Sequence, residues 1–210
     1  MRRTAIKFCG CRTERDVAHA AYLGADAIGF VFAPSSRRVS YAVAERLLKL
    51  VPPDILPVAV FVDPTPDDIA RLQDMRADIA LQLPAVAAGD LQRTRSVKLI
   101  QTLHVSPQDT VASLEATFSR ADESVVLFDT KVPGRHGGTG RTFAWSAIAP
   151  LTRRKRCFIA GGLHAENVAA CVRALRPFGV DVSSGIETSG TKDAAKMRQF
   201  LDAVRSADAD

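Results

Sequence analysis

The chain has 210 residues, 47% of them hydrophobic and 24% charged, with a formal net charge of +5 and a pI near 9.3. Those proportions exclude a disordered, collagen-like or membrane-embedded chain and fit one α/β domain over residues 1–210, with a polar tail at 206–210. The positive balance favours a small anionic ligand over nucleic acid, because the one basic run, Arg153-Arg154-Lys155-Arg156, has no interleaved aromatic residues and reads as a solvated loop.

In chain order, residues 5–9 form a strand, and 13–23 a helix with Val17, Ala20 and Ala21 on one face and Gly24 at its end. Residues 26–32 are a second strand. After a loop at 33–38, Ser40 caps a helix that Pro52-Pro53 stops. A third strand at 56–62 leads to Thr65-Pro66-Asp67-Asp68, a cap, a first-turn proline and two acids that open a helix to about Met75. Strand 78–83, a helix at 86–94, strand 97–103 and a helix at 107–119 on Ser106 follow. Val125-Val126-Leu127-Phe128 is a strand buried on both faces that stops at Asp129. Beyond a glycine-rich loop come a short helix at 143–151, strand 157–160, helix 165–175 behind Gly161-Gly162-Leu163, strand 180–183 and helix 192–204.

Strand then helix, eight times, predicts a parallel sheet closed into a single-domain (β/α)8 TIM barrel. About 250 residues is usual for such barrels, so the helices after strands four and six must be short. Gly24-Ala25-Asp26-Ala27 recurs as Gly179-Val180-Asp181-Val182, each leading from a helix into a strand.

Cys9, Cys11, Cys157 and Cys171 are too few and too dispersed for a disulfide scaffold, which points to reduced thiols in a cytoplasmic protein. Cys9-Gly10-Cys11 lacks the gap of a zinc pair. Residues 1–9 hold no signal-like apolar run, and nowhere do about 18 consecutive apolar residues occur, so no membrane attachment is expected.

Reactive groups of such barrels stand where strands end. Here those places hold Cys9, the Ser35 to Arg38 loop, Asp63, Pro84, His104, Asp129, Gly161-Gly162 and Ser184-Gly185. Cys9 reads either as a base, with Lys7 on the same strand face lowering its pKa, or as a small buried thiol. Asp129 reads as an acid with a raised pKa or as a loop-bonding carboxylate. Gly161-Gly162 and Ser184-Gly185 read as phosphate cradles or as tight turns. Arg37-Arg38 would clamp a carboxylate or stand solvated. Among the histidines only His136, in the glycine loop, draws attention. In that loop five residues separate Gly134 from Gly140, and Arg141 stands where lysine is needed, so it is not a nucleotide P-loop.

Lys7-Phe8-Cys9-Gly10, Gly29-Phe30-Val31-Phe32, Leu127-Phe128-Asp129-Thr130-Lys131, Gly137-Gly138-Thr139-Gly140 with Phe143 and Trp145, Ala160-Gly161-Gly162-Leu163 with Asn167, and Val180-Asp181-Val182-Ser183-Ser184-Gly185-Ile186-Glu187 together resemble phosphoribosylanthranilate isomerase of tryptophan biosynthesis. The resemblance spans nearly the whole chain. It implies a (β/α)8 barrel that carries out an Amadori rearrangement without metal or organic cofactor, Asp129 being the general acid and Cys9 the general base. It also implies that Arg38 holds the anthranilate carboxylate, that Gly161, Gly162, Ser184 and Gly185 hold the phosphate, and that Asp181 contacts substrate. The partner would be a small phosphorylated anion, with no nucleic acid or membrane, and the assembly a monomer or homodimer. The chain departs from the family at Pro84-Ala85, where His-Gly is usual, at Gln101, where lysine is common, and at Cys11 and Arg12; the histidine and lysine positions are both expected at the barrel mouth. A diverged barrel acting on a related phosphosugar amine, or a phosphometabolite-binding protein without catalysis, therefore stays open.

Overall fold

The computed structural model describes residues 3–85, 97–121, 125–130 and 145–210. The helix expected at 86–94 and the glycine loop with His136 lie outside these residues. The strands are β1 (Ala5–Cys9), β2 (Ala27–Val31), β3 (Leu56–Val60), β4 (Ala80–Pro84), β5 (Lys98–Val105), β6 (Val125–Thr130), β7 (Cys157–Ile159) and β8 (Gly179–Val182). They pair in sequence order, each parallel to the next, and β8 closes onto β1 with Lys7 opposite Asp181.

Alternation along each strand sorts side chains between two cores. Outward residues such as Ile6, Phe8, Ile28, Phe30, Val126 and Phe128 pack under the helices. Inward Ala27, Val58, Ala80, Ile100, Leu127 and Phe158 fill the lower barrel. Both faces are thus apolar, which is why the strands read as unbroken hydrophobic runs. Above this plug the inward positions turn polar, at Lys7, Cys9, Gln82, Thr102, Asp129 and Asp181.

The helices are α1 (Glu14–Tyr22), α2 (Tyr41–Leu48), α3 (Pro66–Met75), α4 (Val111–Arg120), α5 (Ala149–Thr152), α6 (Ala165–Leu175) and α7 (Ala194–Ala209). Thr13, Ser40 and Thr65 cap the first three as their side chains demand. Three expectations shift. Thr110 rather than Ser106 caps α4, because Ser106 is held in a turn by the carboxylate of Asp109 at 2.8 Å from its backbone nitrogen. The helix expected at 143–151 is, in its described part, a 3-10 turn (Trp145–Ala147) followed by one α turn, α5. Residues 206–209 are no tail but the end of α7: Ala207 is buried, and Asp208 accepts hydrogen bonds from the backbone nitrogen and hydroxyl of Thr4.

The basic run is used in packing. Arg154 pairs with Glu115 at 2.7 Å, and Lys155 Nζ donates to the carbonyls of Phe118 and Ala121 at the C-terminal end of α4, where a cation is favoured. Arg156 lies over the Phe178 ring.

Candidate active site

The C-terminal end of the barrel opens into a cavity. Cys9, Gln82, Thr102, His104, Asp129, Gly161, Gly162, Asp181 and Ser184 all border it. Cys9 ends β1 and Asp129 stands near the end of β6, with β7 and β8 between those strands in the closed sheet. The two titratable groups expected from sequence therefore share one cavity, from strands three apart in the barrel wall.

Beneath Cys9 lies Lys7, fully buried, with Nζ 2.7 Å from Asp181 Oδ1. A charged ammonium inside a barrel requires such a partner, since an isolated ion there costs several kcal/mol. The Lys7 charge also favours the thiolate form of Cys9. Gly29 on β2 leaves room for this cluster: a Cβ there would sit 2.8 Å from Cys9 Sγ and 3.1 Å from Lys7 Nζ.

Burial pushes the Cys9 thiol above its ordinary pKa, and the charges of Lys7 and Lys192 only partly offset that. Burial, reinforced by the negative charge of Asp181, pushes Asp129 up to about 7. The Thr130 amide, bonded to Asp129 Oδ1 at 2.8 Å, and the Lys7 charge pull the other way with smaller effect. Asp129 is thus a carboxyl group that holds its proton near neutrality, as an acid catalyst must.

Two turns border the cavity at β7 and β8. Gly161 and Gly162 both have positive φ, of 83° and 67°, a conformation that suits residues without Cβ. Asn167 braces that turn, donating from Nδ2 to the Gly162 carbonyl at 2.9 Å. Ser184 and Gly185 start a 3-10 turn ending at Ile186, packed on the Leu163 carbonyl. The two turns touch where Gly185 packs on the Leu163 carbonyl.

Arg38 lies apart from the central cavity, exposed on an adjoining groove with Phe32, Tyr41 and Asp68; the groove shares Ala33, Pro34, Phe61 and Val62 with the cavity. Phe32 stacks on Phe61 at 4.9 Å, giving the groove a flat aromatic wall. Its neighbour Arg37 is the arginine that borders the cavity. On the opposite wall Gln101 is 2% exposed and has the outward phase of Leu103 and Val105, so only Pro84 of the two expected departures lines the mouth. His104 and Thr102 line it instead, in the inward phase of Ile100. His104 is in register with Asp129. Once Ile100 is known to point inward, counting by twos along β5 reaches both residues; Gln82, whose buried Oε1 has no hydrogen-bond partner among the described residues, follows from the same count on β4 from Ala80.

A barrel whose mouth joins a neutral-pH carboxyl, a thiol set beside a buried lysine and paired glycine turns belongs to the class of (β/α)8 enzymes that move protons on small anionic substrates. Residues 6–203 match the family model described as N-(5'-phosphoribosyl)anthranilate (PRA) isomerase. The chain is 41% identical to N-(5'-phosphoribosyl)anthranilate isomerase of Desulforudis audaxviator, covering 97% of this chain and 99% of that protein. The crystal structure of phosphoribosyl anthranilate isomerase from Thermotoga maritima superposes with a TM-score of 0.83 at 33% identity, over 97% of this chain and 99% of that one. A phosphoribosyl anthranilate isomerase in complex with reduced 1-(o-carboxyphenylamino)-1-deoxyribulose 5-phosphate gives 0.80 at 30% identity, over 97% and 99%. The chain belongs to the N-(5'-phosphoribosyl)anthranilate isomerase family.

Proposed function

We propose that this chain catalyses the Amadori rearrangement of N-(5'-phosphoribosyl)anthranilate to 1-(2-carboxyphenylamino)-1-deoxyribulose 5-phosphate, with Asp129 as general acid and Cys9 as general base. The observation that carries the reading is the shared cavity, which joins a carboxyl raised to about 7 with a thiol set beside a buried lysine. The Asp129 proton goes to the furanose ring oxygen as the C1–O bond breaks, leaving an iminium at C1. The Cys9 thiolate then takes the C2 proton, and the C–H electrons form the C1=C2 bond of an enolamine as the iminium charge is quenched. Ketonisation at C2 with protonation at C1 completes the isomerisation, so no external oxidant or reductant enters.

The phosphate would sit on Gly161, Gly162, Ser184 and Gly185, and the anthranilate ring against Phe32 and Phe61 with its carboxylate at Arg38. Support for that direction comes from the relative crystallised with a phosphorylated carboxyphenylamino ligand. Asp181, which borders the same cavity, contacts substrate in this reading and also acts through Lys7 and Asp129. The setting is tryptophan synthesis in the cytoplasm, by a single domain as a monomer or homodimer. Among the described residues the exposed large apolar side chains, Tyr22 and Leu50, are isolated, and no helix is long and apolar enough to cross a membrane.

Turnover is read as loss of phosphoribosylanthranilate fluorescence, and its absence in the purified protein would sink the reading in favour of a binding protein. The pH profile is a sharper test. Activity needs thiolate and neutral carboxyl together, yet the thiol is the weaker acid, so only a minority of molecules carries both. The kcat/KM profile is then a bell whose acid limb bends near 7 with Asp129 and whose alkaline limb reports Cys9, as macroscopic values of the pair. An acid limb bending below about pH 5, where an ordinary carboxyl titrates, would contradict it.

Gly29→Ala separates geometry from chemistry. The methyl displaces the thiol or the ammonium, and kcat/KM should fall about 100-fold, the scale of a misplacement near 1 Å. Phosphate inhibition, measured in parallel, should stay unchanged.

A further inference from the structure

Around the backbone of Cys9, three loops are joined by a chain of ions. Arg37, from the loop after β2, donates from Nε and Nη2 to the two carboxylate oxygens of Glu187 at 2.8 and 2.6 Å. Glu187 begins a two-stranded hairpin after β8, β9 (Glu187–Thr188) with β10 (Thr191–Lys192). From β10, Lys192 Nζ reaches the same carboxylate at 2.7 Å and the Ser183 carbonyl at 3.0 Å. Ser183 Oγ donates to the Cys9 carbonyl at 3.1 Å. The side chains of Lys192 and Glu187 are 3% and 6% exposed. Arg12, after β1, adds an outer tie to the carbonyls of Ser36 and Gly190 at 2.9 and 2.6 Å.

A two-point arginine–carboxylate fork fixes orientation as well as distance. Buried, it is little screened by salt. Although burial works against ionisation, the hydrogen bonds from Arg37 and Lys192 hold Glu187 at about 2, so the cluster stays charged across the working range. Its members flank both proposed binding ends: Arg37 precedes Arg38, and Lys192 grips the residue before Ser184.

We propose that Arg37, Glu187 and Lys192 are positioning residues that hold the Arg38 loop and the Ser184–Gly185 turn at the separation one substrate molecule spans, with Cys9 between them. The inference rests on the placement of carboxylate and phosphate given above. A ligand with two charged ends gains from its covalent link only when the receptor holds both sites at the matching distance. Loosening the tie leaves each site its own contacts and removes that gain.

The test uses Glu187→Gln and Arg12→Ala, with inorganic phosphate and anthranilate as separate competitive inhibitors. For Glu187→Gln, each fragment's inhibition constant should change less than about threefold, while KM for the intact substrate rises about 10- to 100-fold and kcat falls less. Glu187→Asp should recover part of the loss. Arg12→Ala, at an exposed site where folding is safe, should move KM the same way by about threefold. Fragments that weaken in step with substrate, or a lowered Tm with unchanged KM, would overturn the inference. Failure of phosphate to compete in the unsubstituted enzyme would instead overturn the placement of the ends.

Discussion

Asp129→Asn is expected to lower kcat/KM by about 1,000-fold, within the range for loss of a general acid, while making the protein more stable above neutral pH. The two effects share a cause. Burial and the Asp181 charge raise Asp129 from an ordinary 3.8 to about 7, so the folded protein holds a proton that the unfolded chain releases. For an acid with a raised pKa, stability is complete below the unfolded value and is lost as pH rises through the folded one. At pH 3, below the unfolded value, the side chain is neutral in both states and asparagine changes little. At pH 8 the wild-type protein carries a buried anion, and the neutral amide should gain roughly 2 kcal/mol, less than the full shift implies because Asp129 is partly open to solvent. Urea unfolding at the two pH values measures the difference; an equal change at both would remove the link between acid strength and burial.

Lys7→Met should give the largest loss of stability. It leaves Asp181 buried without its cation, a defect of about 3–5 kcal/mol, and it deprives the Cys9 thiolate of its closest positive charge. Alkylation of Cys9 by iodoacetamide should slow at pH 8, and kcat/KM should drop with it. Adding Asp181→Asn removes the stranded carboxylate, so the double variant should regain most of the lost stability without regaining thiol reactivity. Equal denaturation midpoints for the single and double variants would show that the pair is not the source of the effect.

The barrel was legible because its strands are apolar on both faces and its early helices begin at Thr13, Ser40 and Thr65, residues whose side chains bond the first turn. Cap chemistry misled at α4, where Ser106 and Thr110 offer the same hydroxyl and only the Asp109 carboxylate decides between them. The end of α7 looked like a tail because the value of Asp208 lies in Thr4, at the other end of the chain. Cys9, Asp129 and both glycine turns were readable as strand ends, and the structure gathers them. Which of two adjacent arginines enters the cavity was not, since Glu187 draws Arg37 inward from far along the sequence. His104 was passed over among four histidines because its inward phase depends on the β5 register, and Gln101 was assigned to the mouth for the same reason.

The Lys7–Asp181 pair also bears on how the molecule comes into being. Its members are 174 residues apart, so at roughly 5–20 residues per second Asp181 is synthesised about 9–35 s after Lys7. Until then Lys7 has no counter-ion to enter the barrel with, and desolvating it early is unfavourable. Burial of Lys7 is therefore favourable once β8 docks on β1, and the same event that seals the sheet places a paired charge beneath the Cys9 thiol.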